Sequence, residues 1–365
     1  MPLKENITTM EDKEINIVFF GNGTASHAWR INGIAKWLNE ETPHACYVTN
    51  WTSWNNSLPE GTDIVILELL TSPEMVDKCH ELGAKVIYEA DDAFLDTYGK
   101  ERKNLDHVDE NHKQKTIETI SKCDAMIVTN QVLKDNFARF VDIPIYVIPN
   151  YVDLNWYGEG KINIERTTDE VRIGWFGSRG HLEDLDMIVP AINQVLEKYK
   201  NAKFVYCGFG GMSSDRMVTE VGWGEDIFKD IPRDRREFAV GVREDIWPMK
   251  HRALDLDIGI APLVDDYFNT CKTPIKWMEY AALGTPSVCS PTLYEGVVEN
   301  EVTGFIAHDI GEWVRYLSFL VEDVNLRKSV GAAARETVYN LHNLQNHREE
   351  WVDVFKKVLD GTRHS

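Results

Sequence analysis

The sequence predicts an α/β protein with two parallel-sheet domains in series. Two observations carry this. Short apolar runs alternate with amphipathic stretches from residue 15 to residue 149, the pattern of parallel strands joined by crossover helices. The unit of strand, glycine-containing loop and helix also occurs twice, as INIVFFGNGTASHAWRINGIAKW from Ile15 and as VRIGWFGSRGHLEDLDMIVPAINQ from Val171.

Composition agrees. The 365 residues give room for two domains, and 43% hydrophobic content with 11 Trp argues for filled cores. No run of 18 apolar residues exists, so no membrane span is expected. The first residues, MPLKENITTMEDKE, are polar and acidic and lack the pattern of a signal peptide. Six scattered Cys with no CxxC pair fit reduced thiols, a cytoplasmic location and no zinc site. The net charge of −20 is shared evenly, −10 in residues 1–150 and −10 in the remainder. That argues against a generic polyanion binder and against a basic membrane-surface helix.

In chain order, INIVFF (15–20) is a continuous apolar run, as expected for a strand buried on both faces. Gly21 and Gly23 allow a tight turn near a ligand. Thr24 or Ser26 can cap a helix whose buried face carries Trp29, Ile34 and Leu38. The loop falls short of a dinucleotide fingerprint. Ser26 takes the third glycine position, and the next strand, ACYVTN (45–50), ends in Asn50 and not in an acid. Further strands are DIVILE (63–68), KVIYE (85–89), DAMIVT (124–129) and IYVIP (145–149). Ligands of such sheets bind at strand carboxyl ends. There Glu89 and the pair Asp91–Asp92 follow KVIY directly, and adjacent carboxylates repel, raising one pKa toward that of a general base. Capping the next turn is the other use for this pair.

Residues 154–169 are polar, glycine-containing and unpatterned, and read as a linker. This sets a first domain at 1–153, a second at 170–340 and a closing segment at 341–365. In the second domain, Gly177, Ser178 and Arg179 offer backbone amides and a cation to phosphate. AKFVYCGFGG (202–211) is a strand with a glycine-rich end, which lets a nucleotide approach the backbone at Gly208. Residues 212–238 are charged and irregular, and their basic cluster KDIPRDRREF reads as a solvated face. Residues 311–338 read as one helix. Residues 342–361 read as another, with Trp351, Val354, Phe355 and Val358 as its apolar stripe.

The most informative stretch is NTCKTPIKWMEYAALGTPSVCS, Asn269 to Ser290. Thr273 suits a helix N-cap and Pro274 the first helical position, while Gly284 with Pro286 ends the helix. Lys272 precedes the helix start, Lys276 lies one turn in, and Glu279 lies three residues further on the same face. Two ammonium groups and a helix start suit a diphosphate. A carboxylate one turn deeper suits a sugar diol. A solvated amphipathic helix would carry the same spacing.

The pattern NxxKxPxKxxEYAALGxPxVxS resembles the donor-binding segment of the retaining GT-B glycosyltransferases of the broad family 4. The resemblance implies two Rossmann-like domains facing across a cleft, with the last helix crossing back to the first domain. It places Glu279 on the nucleotide ribose and the basic residues beside it on the diphosphate. Val242 and Trp247 fall beside the base. Gly21, Gly23, His27 and Arg30 fall on the acceptor side, with His27, Asp91 and Asp92 as the catalytic candidates. Asn269 and Tyr294 lie by the donor sugar or acceptor. One position departs: Cys271 stands where the first Glu of the family's E-x7-E motif falls, leaving Asp265, Asp266 or Asn269 to contact the transferred sugar. His181 and Asp184 follow the second glycine loop without an assigned role.

The activity implied is transfer of a sugar from a nucleotide-diphosphate sugar, UDP-sugar favoured, to a saccharide or other hydroxyl acceptor with retention. The nucleotide sugar is a co-substrate and no metal ligands are assigned, although Asp91–Asp92 lies where a divalent ion can bind. Alternatives are a glycosyltransferase acting on hydroxylated bases in phage DNA, a nucleotide-sugar epimerase of the same fold, and a non-catalytic sugar-nucleotide binding protein.

Overall fold

Continuous apolar runs form the strands. The computed structural model describes residues 14–21, 28–97, 110–158, 169–208, 211–212, 218–219, 227–243 and 246–361. The first sheet contains β1 (Asn16–Gly21), β2 (Ala45–Asn50), β3 (Ile64–Glu68), β4 (Lys85–Ala90), β5 (Ala125–Val128) and β6 (Ile145–Val147). Their order is β2-β1-β3-β4-β5-β6, and every pairing is parallel. Ile64, Val65, Ile66 and Leu67 are at most 1% exposed, which is why β3 shows no polar alternation.

The second sheet repeats the plan. It holds β7 (Val171–Gly177), β8 (Ala202–Gly208), β11 (Arg236–Val240), β12 (Ile258–Ala261), β13 (Ser287–Cys289) and β14 (Phe305–Ile306), in the order β11-β8-β7-β12-β13-β14 and again parallel. A two-stranded antiparallel pair, β9 (Gly211–Met212) with β10 (Val218–Thr219), stands apart. The two-sheet α/β architecture expected from the alternation is the one found.

The chain divides into two units. The first gathers the described residues up to Asn150 with those from His347 on, and the second spans Tyr151 to Asn346. The last helix, Glu349–Leu359, therefore belongs with the first sheet. Its stripe of Trp351, Val354, Phe355 and Val358 is buried, the Arg30 guanidinium lies 4.9 Å from the Trp351 ring, and Arg348 pairs with Glu41 at 2.8 Å.

Several local expectations need correction. Residues 311–338 are not one helix: Ile310–Glu322 ends at Asp323, whose carboxylate caps Val324–Leu341 by accepting from the Asn325 and Leu326 amides. The cap overrides a continuous apolar period. The cluster KDIPRDRREF is not a solvated face throughout. Arg235 donates to the carbonyls of Tyr199 and Ala202, buried Arg236 donates to those of Phe228 and Ile231, and β11 starts there. The segment read as linker begins with a helix, Leu154–Tyr157, capped by Asp153, and Tyr157 is 1% exposed. The six cysteines are buried, and none forms a disulfide among the described residues.

The helix of the key stretch runs Ile275–Ala282 and stops as expected. Gly284 adopts φ +66, and its amide donates to Ala281 O while that of Thr285 donates to Tyr280 O. Gly331 presses onto this turn so closely that a Cβ there would lie 2.1 Å from Gly284 O. The start differs from expectation. Pro274, not Thr273, is the N-cap, and Thr273 contributes its carbonyl to the Ile275 amide at 2.8 Å. No side chain caps the helix.

Candidate functional site

In the second sheet the strand order reverses at β7, which has β8 on one side and β12 on the other. Crevices form at the carboxyl end of such a strand. Gly177 closes β7 there, and no larger residue fits. A Cβ would lie 2.7 Å from the Trp175 ring and 2.9 Å from Lys276 Nζ. The loop continues into exposed Ser178, and the side chain of Arg179 is outside what is described.

Lys276 reaches this strand end from the first turn of its helix. Its ammonium lies 5.2 Å from the Trp175 ring centre and 5.9 Å from that of Phe176. Burial lowers its pKa to about 8, with Glu279 opposing the shift and Lys272 adding to it. The helix dipole disfavours a cation in this position by about 0.3–1 kcal/mol. Both penalties shrink if an anion lies against the ammonium. Lys272 packs its ammonium 4.5 Å from the Phe268 ring centre, in the loop leading to the same helix start.

Glu279, one turn deeper, is 3% exposed. Its Oε1 accepts from the Tyr157 hydroxyl at 3.0 Å and from the Trp247 indole at 3.1 Å, and His251 Nδ1 stands 3.7 Å away. Burial raises the carboxyl pKa to about 7, against the pull of Lys276, Tyr157 and Trp247. His251 is held well below its ordinary pKa by burial and by Lys276, so it is neutral near pH 7. Its ring lies 3.7 Å from that of Phe176, and neither ring nitrogen has a hydrogen-bond partner among the described residues. Both donors take one oxygen of Glu279, so Oε2 keeps its acceptor capacity.

A second polar chain braces the loop before Lys272. Asp184 Oδ2 accepts from His181 Nδ1 at 2.7 Å, while Oδ1 accepts from the Val264 amide at 2.8 Å and Asn269 Nδ2 at 3.2 Å. Asn269 is fully buried and also donates to Val264 O. Burial works against an ionised Asp184, yet the hydrogen bonds from His181 and Val264 and the charge of Lys272 hold its pKa below the usual carboxylate range. Asn269 thus shapes the loop from within. Cys271 is fully buried, and no carboxylate occupies its position.

Other residues singled out from the sequence fall as follows. Gly208 ends β8, and its carbonyl accepts from Gly241, directly before half-buried Val242. Tyr294 is 1% exposed, so its ring is part of the interior. In the first unit, Gly21 ends β1 and Arg30 is 2% exposed. Arg30 donates to Glu89 at 2.7 Å and to Ile148 O, Pro149 O and Asn150 Oδ1 at 2.8–3.1 Å. Burial pushes Glu89 up to about 8, opposed by Arg30 and reinforced by Asp91 and Glu68. Asp91 and Asp92 follow β4, both half-buried. Gly23 and His27 lie outside the described residues.

Tyr157 and His251, which flank Glu279, carry no signal in the sequence, whereas Glu89 stands with Asp91–Asp92 at a strand end.

No family model matches the chain. No curated protein matches it by sequence. Solved structures do match in fold. TarM from S. aureus, solved in complex with fondaparinux, alpha-GlcNAc-glycerol and UDP, is 15% identical with a TM-score of 0.57 over 80% of this chain and 55% of that one. The chain thus spans about half the length of TarM. Sucrose-phosphate synthase from Thermosynechococcus elongatus is 12% identical, with a TM-score of 0.69 over 96% of this chain and 100% of that one. HepE from Anabaena, solved with UDP-glucose, is 12% identical, with a TM-score of 0.65 over 94% and 100%. No helix among the described residues is long and apolar enough to cross a membrane. The chain has the two-sheet GT-B fold of these structures, the fold that its sequence resembles.

Proposed function

We propose that the protein is a glycosyltransferase that moves a sugar from a nucleotide-diphosphate sugar, preferably a UDP-sugar, to a hydroxyl acceptor with retention of configuration. The observation that carries this reading is the Lys276–Glu279 pair at a helix start facing Gly177. Lys276 and Lys272 hold the diphosphate, and the helix-start amides share its charge. As the bond to the sugar breaks, negative charge grows on the diphosphate, and these groups stabilise it more strongly than they do the ground state. Glu279, held by Tyr157 and Trp247, accepts the ribose hydroxyl protons through Oε2. Fold neighbours solved with UDP and with UDP-glucose support this choice of nucleotide.

In this reading the acceptor belongs to the strand ends of the first unit, where Asp91 or Asp92 serves as base. A saccharide acceptor fits the net charge of −20 better than a base in DNA does. The same proposal allows a divalent ion at Asp91–Asp92 as an aid to the transfer. Cys271 in place of the first motif carboxylate favours a second reading, a protein that binds nucleotide sugars without transferring them. The test is to incubate the chain with UDP-, GDP- and ADP-sugars and oligosaccharide acceptors, with and without Mn²⁺. Product containing the transferred sugar supports transfer. Tight nucleotide binding with no product and no donor hydrolysis supports the second reading.

A further inference from the structure

His181 closes the short 3-10 turn Arg179–His181 that follows β7, and its ring stands edge-on to Trp175 at 6.1 Å. Trp175 is the residue against which the Lys276 ammonium packs. His181 is therefore beside the proposed diphosphate site, yet nothing above gives it a task. Its geometry is defined on one side only. Asp184, an acceptor when ionised, takes the Nδ1–H bond at 2.7 Å and is itself fixed by Val264 and Asn269. Nε2 makes no hydrogen bond among the described residues. The groups that act on the ring are the Lys276 and Lys272 cations and the Asp184 carboxylate of the helix that follows, Leu182–Asp186. Burial, then Lys276, then Lys272 lower the pKa of His181 to about 4, with Asp184 opposing, so the ring is neutral near pH 7.

We propose that His181 is a proton-accepting, phosphate-contacting residue: Asp184 fixes its ring through Nδ1, and Nε2 takes one proton from solvent when a nucleotide diphosphate binds beside Lys272 and Lys276. The inference rests on the donor-site reading above. Bound phosphate charge cancels the field of the two lysines, which is the part of the pKa depression that a ligand can reverse. The protonated Nε2–H then donates to a phosphate oxygen and adds a charge-assisted bond as the diphosphate departs. No bond other than N–H forms, and the proton comes from buffer.

The experiment is calorimetry of the full chain with UDP-glucose, ADP-glucose and GDP-glucose at about pH 6, near the ordinary pKa of imidazole, where a histidine relieved of its depression takes up a proton. These diphosphate diesters carry no group that titrates near neutrality. Titrations are run in two buffers of different ionisation heat. Glu279 must lose its proton to bind the ribose and does so equally in both chains, so the expected result is a proton balance that is more positive for the native chain than for His181→Gln by a sizeable fraction of one proton per bound ligand. An equal proton balance in the two chains overturns the proposal while leaving the donor site standing. Absence of binding by all three ligands overturns the donor-site reading and this proposal with it. A ¹⁵N-histidine spectrum of the native chain gives a second readout independent of the variant's folding. One histidine must move from neutral tautomer to imidazolium on adding ligand, and an unchanged set of neutral signals contradicts the inference.

Discussion

The Tyr157 hydroxyl donates to Glu279 Oε1 at 3.0 Å, joining residues 122 positions apart. With Trp247 on the same oxygen, it aims the carboxylate and leaves Oε2 for a ligand. Tyr157→Phe removes one donor from a buried carboxyl, a loss of about 1–3 kcal/mol in stability. It also raises the Glu279 pKa further, because that hydrogen bond favours the ionised form. Glu279 must be ionised to accept two hydroxyl protons, so nucleotide affinity is expected to rise with pH through about 7. In Tyr157→Phe that midpoint moves to higher pH. Nucleotide titrations across the pH range check it, and an unmoved midpoint removes Tyr157 from the account.

Gly177 permits the approach of Lys276 to the end of β7. Gly177→Ala puts a Cβ 2.9 Å from the ammonium and 2.7 Å from the indole of Trp175. The lysine tip is flexible and can retreat, whereas the buried indole cannot do so cheaply. The expected outcome is about a tenfold or greater loss of nucleotide affinity with a modest loss of stability, on the order of 1–3 kcal/mol for overpacking. Equilibrium binding and urea unfolding on the same variant separate the two effects.

Glu89 supplies a pH dependence of stability with a definite sign. Its pKa is raised from 4.5 to about 8, chiefly by burial. The folded chain therefore binds the proton more tightly than the unfolded chain does. This contribution is complete below the unfolded value and is lost as pH rises through about 8. Glu89→Gln keeps an acceptor for Arg30 but does not titrate, so it should flatten the fall in Tm over that window. His181 and His251 act in the opposite sense. Their lowered pKa values favour the folded state above the unfolded value of 6.5, and that contribution is lost on acidification. Thermal melts from acid to weak base on the native chain and the variant test the sign directly.

Gly331 is a packing contact of the turn that ends the Ile275–Ala282 helix. Gly331→Ala drives a Cβ to 2.1 Å from Gly284 O, backbone that cannot move without shifting the end of the Ile275–Ala282 helix. A destabilisation of about 2–3 kcal/mol is expected. A wild-type melting curve would mean that the two segments separate more easily than their packing implies.

These residues also explain what the sequence could disclose. Lys276 and Glu279 are three positions apart on one helix, so their shared face follows from helical geometry alone. Gly177 was legible because a glycine between a strand and a helix is a local signal. Tyr157 fell in a stretch with no periodic pattern, and its partner became visible only once the second sheet was assembled. Asp184 and Asn269 are likewise 85 positions apart. The break at Asp323 was local, but the apolar period runs through it, and pattern outweighed cap. Arg235 and Arg236 looked solvated because sequence shows their charge and not the carbonyls they clip. Thr273 suits an N-cap by residue type, whereas the turn leading from Lys272 delays the helix to Ile275.

The central claim, that Lys276 and Glu279 form a nucleotide-diphosphate site, is tested most directly by thermal shift with UDP, GDP, ADP and their sugars. At one hundred times its dissociation constant, a ligand stabilises the folded chain by about 2.7 kcal/mol. The account predicts a shift of several degrees with one nucleotide family, lost in both Lys276→Ala and Glu279→Ala. No shift with any nucleotide, or an undiminished shift in both variants, contradicts it.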